Sequence, residues 1–509
     1  MWPLSGHEIV AACCGECANS NLAQIQITGV TSDSRRIAPG LLFAAIKGDK
    51  FDGHDFVAKS LDAGAPLALV SKEWVAKNVT SKQLHEKCII VEDVTSALRQ
   101  IAAKIRRRFS FPVIGIGGSN GKTTTKEMLA ALLSSPFRAT KTTKSENGFL
   151  GMALTLTNHE HNLNNAPHAL VLEIGIDESG AMQQHCEVGN PDWALLTALG
   201  PEHLAGLRSW ENAVAEELKL FSFSPNVRRV WQGYEPELKK RFSQLRCGDT
   251  VVVPQKEISL ANPFSLPECS EPDIRTRGVS LLTWQIQNPD SLQIAVEVSW
   301  YPADSLNTTR PAWTNTFELP LPGEHNAANF ALAAATGASL GRTPRELTSG
   351  WKNFQPPAMR SRVVTLGNGC ILYDDCYNAS PESMKAAFAV LQRDDWQHKH
   401  KIAILGDMLD LGDESRKWHL NLLDSLRNIS NIHLCLFGIA MYDVFQELIK
   451  DQESGRRLNR QISYLKSNED PTRFLDEIQT PFSKAVVLVK GSRGMDLGRV
   501  VKRLEEINR

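Results

Sequence analysis

The run GGSNGKTTT at 117–125 constrains this chain more than any other stretch. It follows the apolar run PVIGIGG (112–118) and opens KTTTKEMLAALLSS, whose apolar residues recur at helical spacing. A glycine-rich turn between a buried strand and a helix lets backbone N–H groups point inward around an anion, at the positive end of the helix dipole. Gly118 and Gly121 permit the turn, Lys122 offers a cation for terminal phosphates, and Thr123 offers a hydroxyl for Mg²⁺. Ser119, Asn120 and Thr124 complete the lining. The longer form of such a loop has a glycine where Ile116 stands, so the match is to a shorter form, G-x-x-G-K-T-T. The context predicts binding of a nucleoside triphosphate on a mainly parallel, doubly wound sheet.

The rest of the chain extends that α/β pattern. With 509 residues, roughly three domains of ordinary size are expected. Before the loop, short apolar runs (QIQITGV, LLFAAI, LALV, CIIV) alternate with helical stretches such as 54–63, giving a small mixed α/β unit over 1–110. SALRQIAAKIRRRFS reads as a helix whose basic end, 106–108, is a solvated terminus. After the loop, ALVLEIG (169–175) and WALLTAL (193–199) are strands of the central unit, 111–341. Between about 230 and 320, TVVVP, SLLTWQIQ and LQIAVEVSWY alternate apolar with polar residues and predict a β-rich extension or subdomain. PGEHNAANFALAAATGASLG then resumes a helix with Gly341 as its stop. A Rossmann-like unit over 342–509 follows, with strands at 370–375, 401–407, 432–438 and 485–491.

Composition excludes several classes. A net charge of −1 with no block of like charge argues against a nucleic-acid or membrane-surface role. No apolar run approaches the ~20 residues needed to span a bilayer, and the N-terminus lacks a basic start followed by an apolar stretch, so a cytoplasmic protein is expected. Cys14 and Cys17 have CxxC spacing, but no second ligand pair stands nearby, and the ten cysteines are expected to be buried free thiols.

The short loop resembles that of the Mur ligases, and motifs along nearly the whole chain agree. TSDSRRIAPGLLFAAIKGDKFDGHDF (31–56), LEIGIDESG, TALGPEHLAGL, PGEHNAANFALAAA (322–335), DDCYNASPESM (374–384), LGDMLDLGDES followed by His419, and VLVKGSRGM (487–495) are similar to family signatures. The last three resemble the branch that adds D-alanyl-D-alanine. The resemblance implies an N-terminal domain for the UDP-N-acetylmuramoyl-tripeptide, a central ATPase-like domain and a C-terminal Rossmann-like domain. It implies ATP and Mg²⁺ as cofactors, small-molecule substrates only, and a monomer.

By the same resemblance, Glu173 and His203 stand at metal-binding positions beside Thr123. Asn326 stands at an adenine contact, and Arg360 and Asp375 reach the phosphates and ribose. Ser34, Arg35, Asn147, Tyr377 and Asn378 stand at substrate positions. Taken singly, His203 also reads as a core histidine and Glu173 as an ion-pair partner; their order and spacing after the loop favour the site.

The sequence departs from the family at four places. A second asparagine is replaced by Gly148, an N-x-x-G by residues 177–180, and another asparagine by Ala198. The family's carbamylated lysine, which helps hold a second Mg²⁺, is replaced by Glu217, with Lys219 two residues on. Successive helical residues turn by about 100°, so Glu217 and Lys219 face opposite ways. Either Glu217 supplies a permanent carboxylate, or a register shift leaves Lys219 the family role. The alternatives to a D-alanyl-D-alanine ligase are another Mur-type or folylpolyglutamate-type amide ligase, or a nucleotide-binding homologue with an impaired site.

Overall fold

In the computed structural model, residues 3–48, 51–78, 81–135, 137–143, 148–158, 168–233, 235–258, 265–266, 274–289, 291–304, 310–453, 460–478 and 482–507 are described. They form three α/β units. Asn147 lies outside the described residues.

The first unit is a four-stranded parallel sheet, Gly29–Thr31, Leu41–Ala44, Ala68–Ser71 and Cys88–Val91 in that spatial order. The helix Val94–Arg106 leaves it, with Asp93 accepting from the amide of Ser96 as its N-cap. Its stripe Val94, Leu98, Ile101 and Ile105 is buried and packs on the helices Gly6–Cys13, Phe149–Thr157 and Ala181–Gly189, so one apolar core joins the first unit to the second. The basic end of this helix is not wholly solvated. Arg106 is buried, donating to the carbonyls of Gly189 and Asn190 at 2.9 and 2.7 Å and pairing with Asp192 at 2.9 Å. A buried guanidinium needs such partners, and they come from a loop some 85 residues away, out of reach of a local reading.

The second unit is a nine-stranded sheet. Seven strands run parallel, from Ser280–Ile286 through Thr250–Pro254, Arg228–Gln232, Trp193–Leu196, Val113–Gly117 and His168–Glu173 to Arg138–Lys141. Ile294–Tyr301 and Trp313–Leu319 add antiparallel at the far edge. The β-rich stretch is thus a continuation of the central sheet and not a separate subdomain. The helix Glu324–Ser339 crosses this sheet against the helix Lys122–Leu132. Its alanines at 327, 328, 331, 334 and 335 are buried and allow the close approach. It ends just before Gly341, which takes φ 78°.

The third unit is a six-stranded sheet. Ile371–Asp374, Val486–Lys490, Lys401–Gly406, Ile432–Phe437 and Arg460–Leu465 run parallel, with Arg362–Thr365 antiparallel at one edge. Among the described residues no helix is long and apolar enough to cross a membrane. Among the described residues six cysteines are buried thiols, whereas Cys14 and Cys247 are exposed and Cys17 is half-buried. No group of three or more His, Cys, Asp or Glu among the described residues is placed to hold a metal by itself.

Candidate active site

The phosphate loop lies at the C-terminal edge of the central parallel sheet, where open α/β sheets bind ligands. Ile116 is a buried residue of the strand Val113–Gly117, so the strand runs to the loop itself and the turn is short. The two loop glycines are required by geometry. Gly118 has φ 107°, and a Cβ there would stand 2.3 Å from Thr197 Oγ1. Gly121 has φ 92°, and its Cβ would stand 2.5 Å from Asn329 Oδ1. The amides of Ser119 and Asn120 donate to Ala198 O at 2.9 and 3.2 Å. Position 198 therefore supports the loop through its backbone, which an alanine does as well as an asparagine.

Lys122 and Thr123 open the helix Lys122–Leu132. Lys122 Nζ donates to Gly118 O at 2.5 Å and Ser119 O at 3.1 Å, curled back over the loop that a phosphate would fill. It also stands 3.8 Å from Glu202 Oε2. Thr123 Oγ1 donates to Glu173 Oε1 at 2.9 Å, at the end of the adjacent strand His168–Glu173. Both are buried. A hydroxyl and a carboxylate side by side at a phosphate loop are the hard oxygen donors that Mg²⁺ takes, and the pair fits that ion with bound phosphate oxygens and water completing the shell. His203, at φ 54° before the short helix Leu204–Leu207, has its Nε2 3.7 Å from Glu202 Oε1. The structure brings it to Glu202 and the Lys122 side of the site.

Glu217, on the helix Trp210–Ser222, is buried, and its Oε2 accepts from the Gly118 amide at 2.7 Å. Burial pushes its carboxyl up to about 7, against the opposing pull of Lys122 and of the Gly118 hydrogen bond. Lys219 is half-exposed and pairs with Glu216 Oε2 at 2.6 Å. Of the two alternatives, Glu217 is the side chain that reaches the phosphate loop.

The third unit closes over this edge. Ser380 Oγ donates to Asn120 Oδ1 at 2.9 Å, and Asn378 Nδ2 donates to Glu202 Oε1 at 2.9 Å. Glu382 follows in the first turn of the helix Pro381–Leu391. Its carboxyl is raised by burial and by the nearby Glu235 and Glu202, partly offset by Lys385. Asp375 accepts from the Ser361 amide at 2.9 Å and pairs with buried Lys490 at 2.6 Å. Arg360 lies over the Tyr377 ring at 4.1 Å, and Arg493 lies over the same ring at 5.6 Å. Asn326 is buried, with its amide donating to Pro322 O at 2.7 Å.

Ser34 and Arg35 stand apart in the first unit. Arg35 is exposed and doubly bonded to Asp33 at 2.9 Å. No hydrogen bond or ion pair among the described residues joins them to the loop. Residues 177–179 are exposed beside the central unit. Sequence reading missed Glu202, Lys126, Ser380, Glu382 and Lys490. Glu202 adjoins His203, Ser380 and Glu382 lie within the 374–384 motif and Lys490 within 487–495. Lys126, one turn after Lys122, had only its helical spacing to mark it.

The chain matches the Mur ligase middle domain over residues 116–255, the Mur ligase glutamate ligase domain over 359–493 and the Mur ligase catalytic domain over 26–106. It is 29% identical to the UDP-N-acetylmuramoyl-tripeptide–D-alanyl-D-alanine ligase of Bacillus subtilis (strain 168), covering 97% of this chain and 96% of that one. A crystal structure of MurF from Acinetobacter baumannii superposes with a TM-score of 0.75 at 23% identity, over 99% of both chains. MurF ligase from Thermotoga maritima in complex with ADP superposes with a TM-score of 0.70 at 24% identity, over 94% of this chain and 97% of that one. The three-unit architecture agrees with these likenesses along nearly the whole length, and the chain belongs to the Mur ligase family.

Proposed function

We propose that this chain is the ATP-dependent ligase that joins D-alanyl-D-alanine to UDP-N-acetylmuramoyl-tripeptide, completing the pentapeptide precursor of peptidoglycan. The observation that carries the reading is the seating of segment 374–384 on the phosphate loop, Ser380 on Asn120 and Asn378 on Glu202. That segment is a signature of the D-alanyl-D-alanine-adding branch, and here it meets the ATP-handling residues directly.

Amide formation in water is uphill, and a carboxylate oxygen is a poor leaving group. The terminal carboxylate of the tripeptide attacks the γ-phosphorus, and the bond to ADP breaks. The amine of D-alanyl-D-alanine then attacks the acyl phosphate. Its C–O bond breaks, phosphate leaves and the amine loses a proton. Phosphoryl transfer is mostly positioning and charge neutralisation. Lys122 leaves the carbonyls of Gly118 and Ser119 to meet the β- and γ-phosphates. The N-terminus of the helix Lys122–Leu132 faces the same charge. Thr123, Glu173 and His203 would hold Mg²⁺, which supplies positive charge beside the γ-phosphate when bound. Glu217 pins the loop through Gly118 in place of a modified lysine.

Asn326, Arg360 and Asp375 face the nucleotide in this reading. Ser34, Arg35, Tyr377 and Asn378 face the peptide substrates in the same reading. The working domain boundaries are 1–110, 111–341 and 342–509. The enzyme acts in the cytoplasm as a monomer, since one chain supplies every unit of the site. The test is phosphate release with defined substrates, followed by product mass. Release that requires both UDP-tripeptide and D-alanyl-D-alanine is expected. Turnover with glutamate and a folate, or ATP binding without any turnover, would overturn the reading.

A further inference from the structure

Lys126 is fully buried in the second turn of the helix Lys122–Leu132. Its Nζ lies 3.2 Å from Glu173 Oε2 and 3.5 Å from Glu127 Oε1. Glu127 in turn pairs with Lys141 on the edge strand Arg138–Lys141. Residues four apart share a helix face, so Lys122 and Lys126 stand one above the other beside the site. The two oxygens of Glu173 are thereby divided, Oε1 accepting from the Thr123 hydroxyl and Oε2 in an ion pair with the Lys126 ammonium.

Burying an ammonium is costly unless its partners are well placed. A core position on a helix is filled at lower cost by Leu or Met. Lys126 instead spends its charge on the carboxylate beside the hydroxyl of the phosphate-loop threonine. A cation approaching Glu173 without phosphate meets a carboxylate already half-neutralised. One arriving with a nucleotide brings the anionic charge that Lys126 has offset.

We propose that Lys126 is a positioning residue for Glu173, fixing its carboxylate against Thr123 and offsetting its charge so that a divalent cation binds there together with nucleotide phosphate and only weakly without it. The proposal rests on the reading of Glu173 as a cation ligand. Glu127 moderates it, because it shares the Lys126 ammonium.

The test is Mn²⁺ binding to the full chain, followed by electron paramagnetic resonance with and without ADP, alongside thermal unfolding. In Lys126→Met, Mn²⁺ affinity without nucleotide should rise tenfold or more, and the gain on adding ADP should shrink. Lys126→Arg should keep the wild-type pattern. Glu127→Gln, which removes one carboxylate that competes with Glu173 for Lys126, should move the opposite way and weaken Mn²⁺ binding severalfold. Unchanged or weaker nucleotide-free binding in a folded Lys126→Met overturns the proposal. If that variant does not fold, unchanged or tighter binding in Glu127→Gln overturns it. Glu173→Gln separates the two layers. Wild-type Mn²⁺–ADP binding in that variant would remove the cation-ligand reading itself, whereas lost binding there with an indifferent Lys126→Met removes only the role of Lys126.

Discussion

Glu217 Oε2 accepts the amide proton of Gly118 across 2.7 Å, joining the helix Trp210–Ser222 to the root of the phosphate loop. Lys219, two residues on, turns away to Glu216. Of the two residues that the resemblance offers for the modified lysine's place, Glu217 is the one held against the loop. Glu217→Gln preserves an acceptor for Gly118 but removes the charge. Turnover should fall by about a hundredfold, the order lost when one preorganised electrostatic partner is removed. Lys219→Ala should cost far less. Steady-state phosphate release ranks the two, and the reverse ranking would return the role to Lys219.

The same carboxyl has a stability signature. Its folded pKa is raised from 4.5 to about 7, chiefly by burial. Between those values the folded state keeps a proton that the unfolded state releases, so stability declines as pH rises through the window. The full loss above pH 7 is about 3 kcal/mol. Glu217→Gln should escape it. Urea midpoints at pH 5 and pH 8 should separate the two proteins at the higher pH, with the variant the more stable. Parallel curves would mean that the group does not titrate there.

Lys122 now satisfies two loop carbonyls, contacts that water or bound phosphate can replace in part. Lys122→Ala should therefore keep the fold, seen in an unchanged circular dichroism spectrum. Turnover should drop by at least about a hundredfold for want of charge on the terminal phosphates. Near-normal activity in the folded variant would refute the assignment of the loop.

The loop was legible because its chemistry is local. Gly118 and Gly121 sit where a Cβ has no room, and Lys122 and Thr123 follow at fixed spacing. Strands with continuous apolar runs, such as 432–437, were legible for the same reason. The edge strand Arg362–Thr365 was not: it is only half-covered and its sequence lacks a buried run. Arg106 read as a solvated helix cation and Lys126 went unremarked, and each is buried against a carboxylate, 86 and 47 residues away in sequence. Only tertiary structure reveals such partners. The same holds for Glu202, whose contacts to Lys122 and Asn378 come from two different units.

Those cross-unit contacts predict a closure defect. Asn378 donates to Glu202, and Ser380 donates to Asn120, across the boundary between the second and third units. Each bond is worth roughly 0.5–1.5 kcal/mol net, with more at a charged partner. Asn378→Ala should lower the closed population and reduce kcat/KM by about tenfold, with little change in the unfolding midpoint. Small-angle scattering of the ADP-bound protein should report a more open average. An unchanged profile together with unchanged kinetics would show that these bonds do not gate the site.

His325, one residue into the helix Glu324–Ser339, faces the third unit, its Nε2 3.4 Å from Ser361 Oγ. Burial holds its imidazolium form down to about 4, with Asp375 and Glu324 pulling up and Lys490 pushing down. The unfolded chain protonates near the ordinary histidine value, so it binds more protons than the folded one between the two. Stability from this residue is therefore intact above pH 6.5 and is lost as pH falls toward 4. At pH 5 the loss is about 2 kcal/mol. His325→Gln keeps a polar contact to Ser361 without a titrating proton, and its unfolding midpoint should hardly change between pH 7 and pH 5 on this account. Relative to that variant, wild type should lose several degrees over the same range, and differential scanning calorimetry of the pair decides it. Equal shifts in both proteins would place the acid sensitivity elsewhere in the fold.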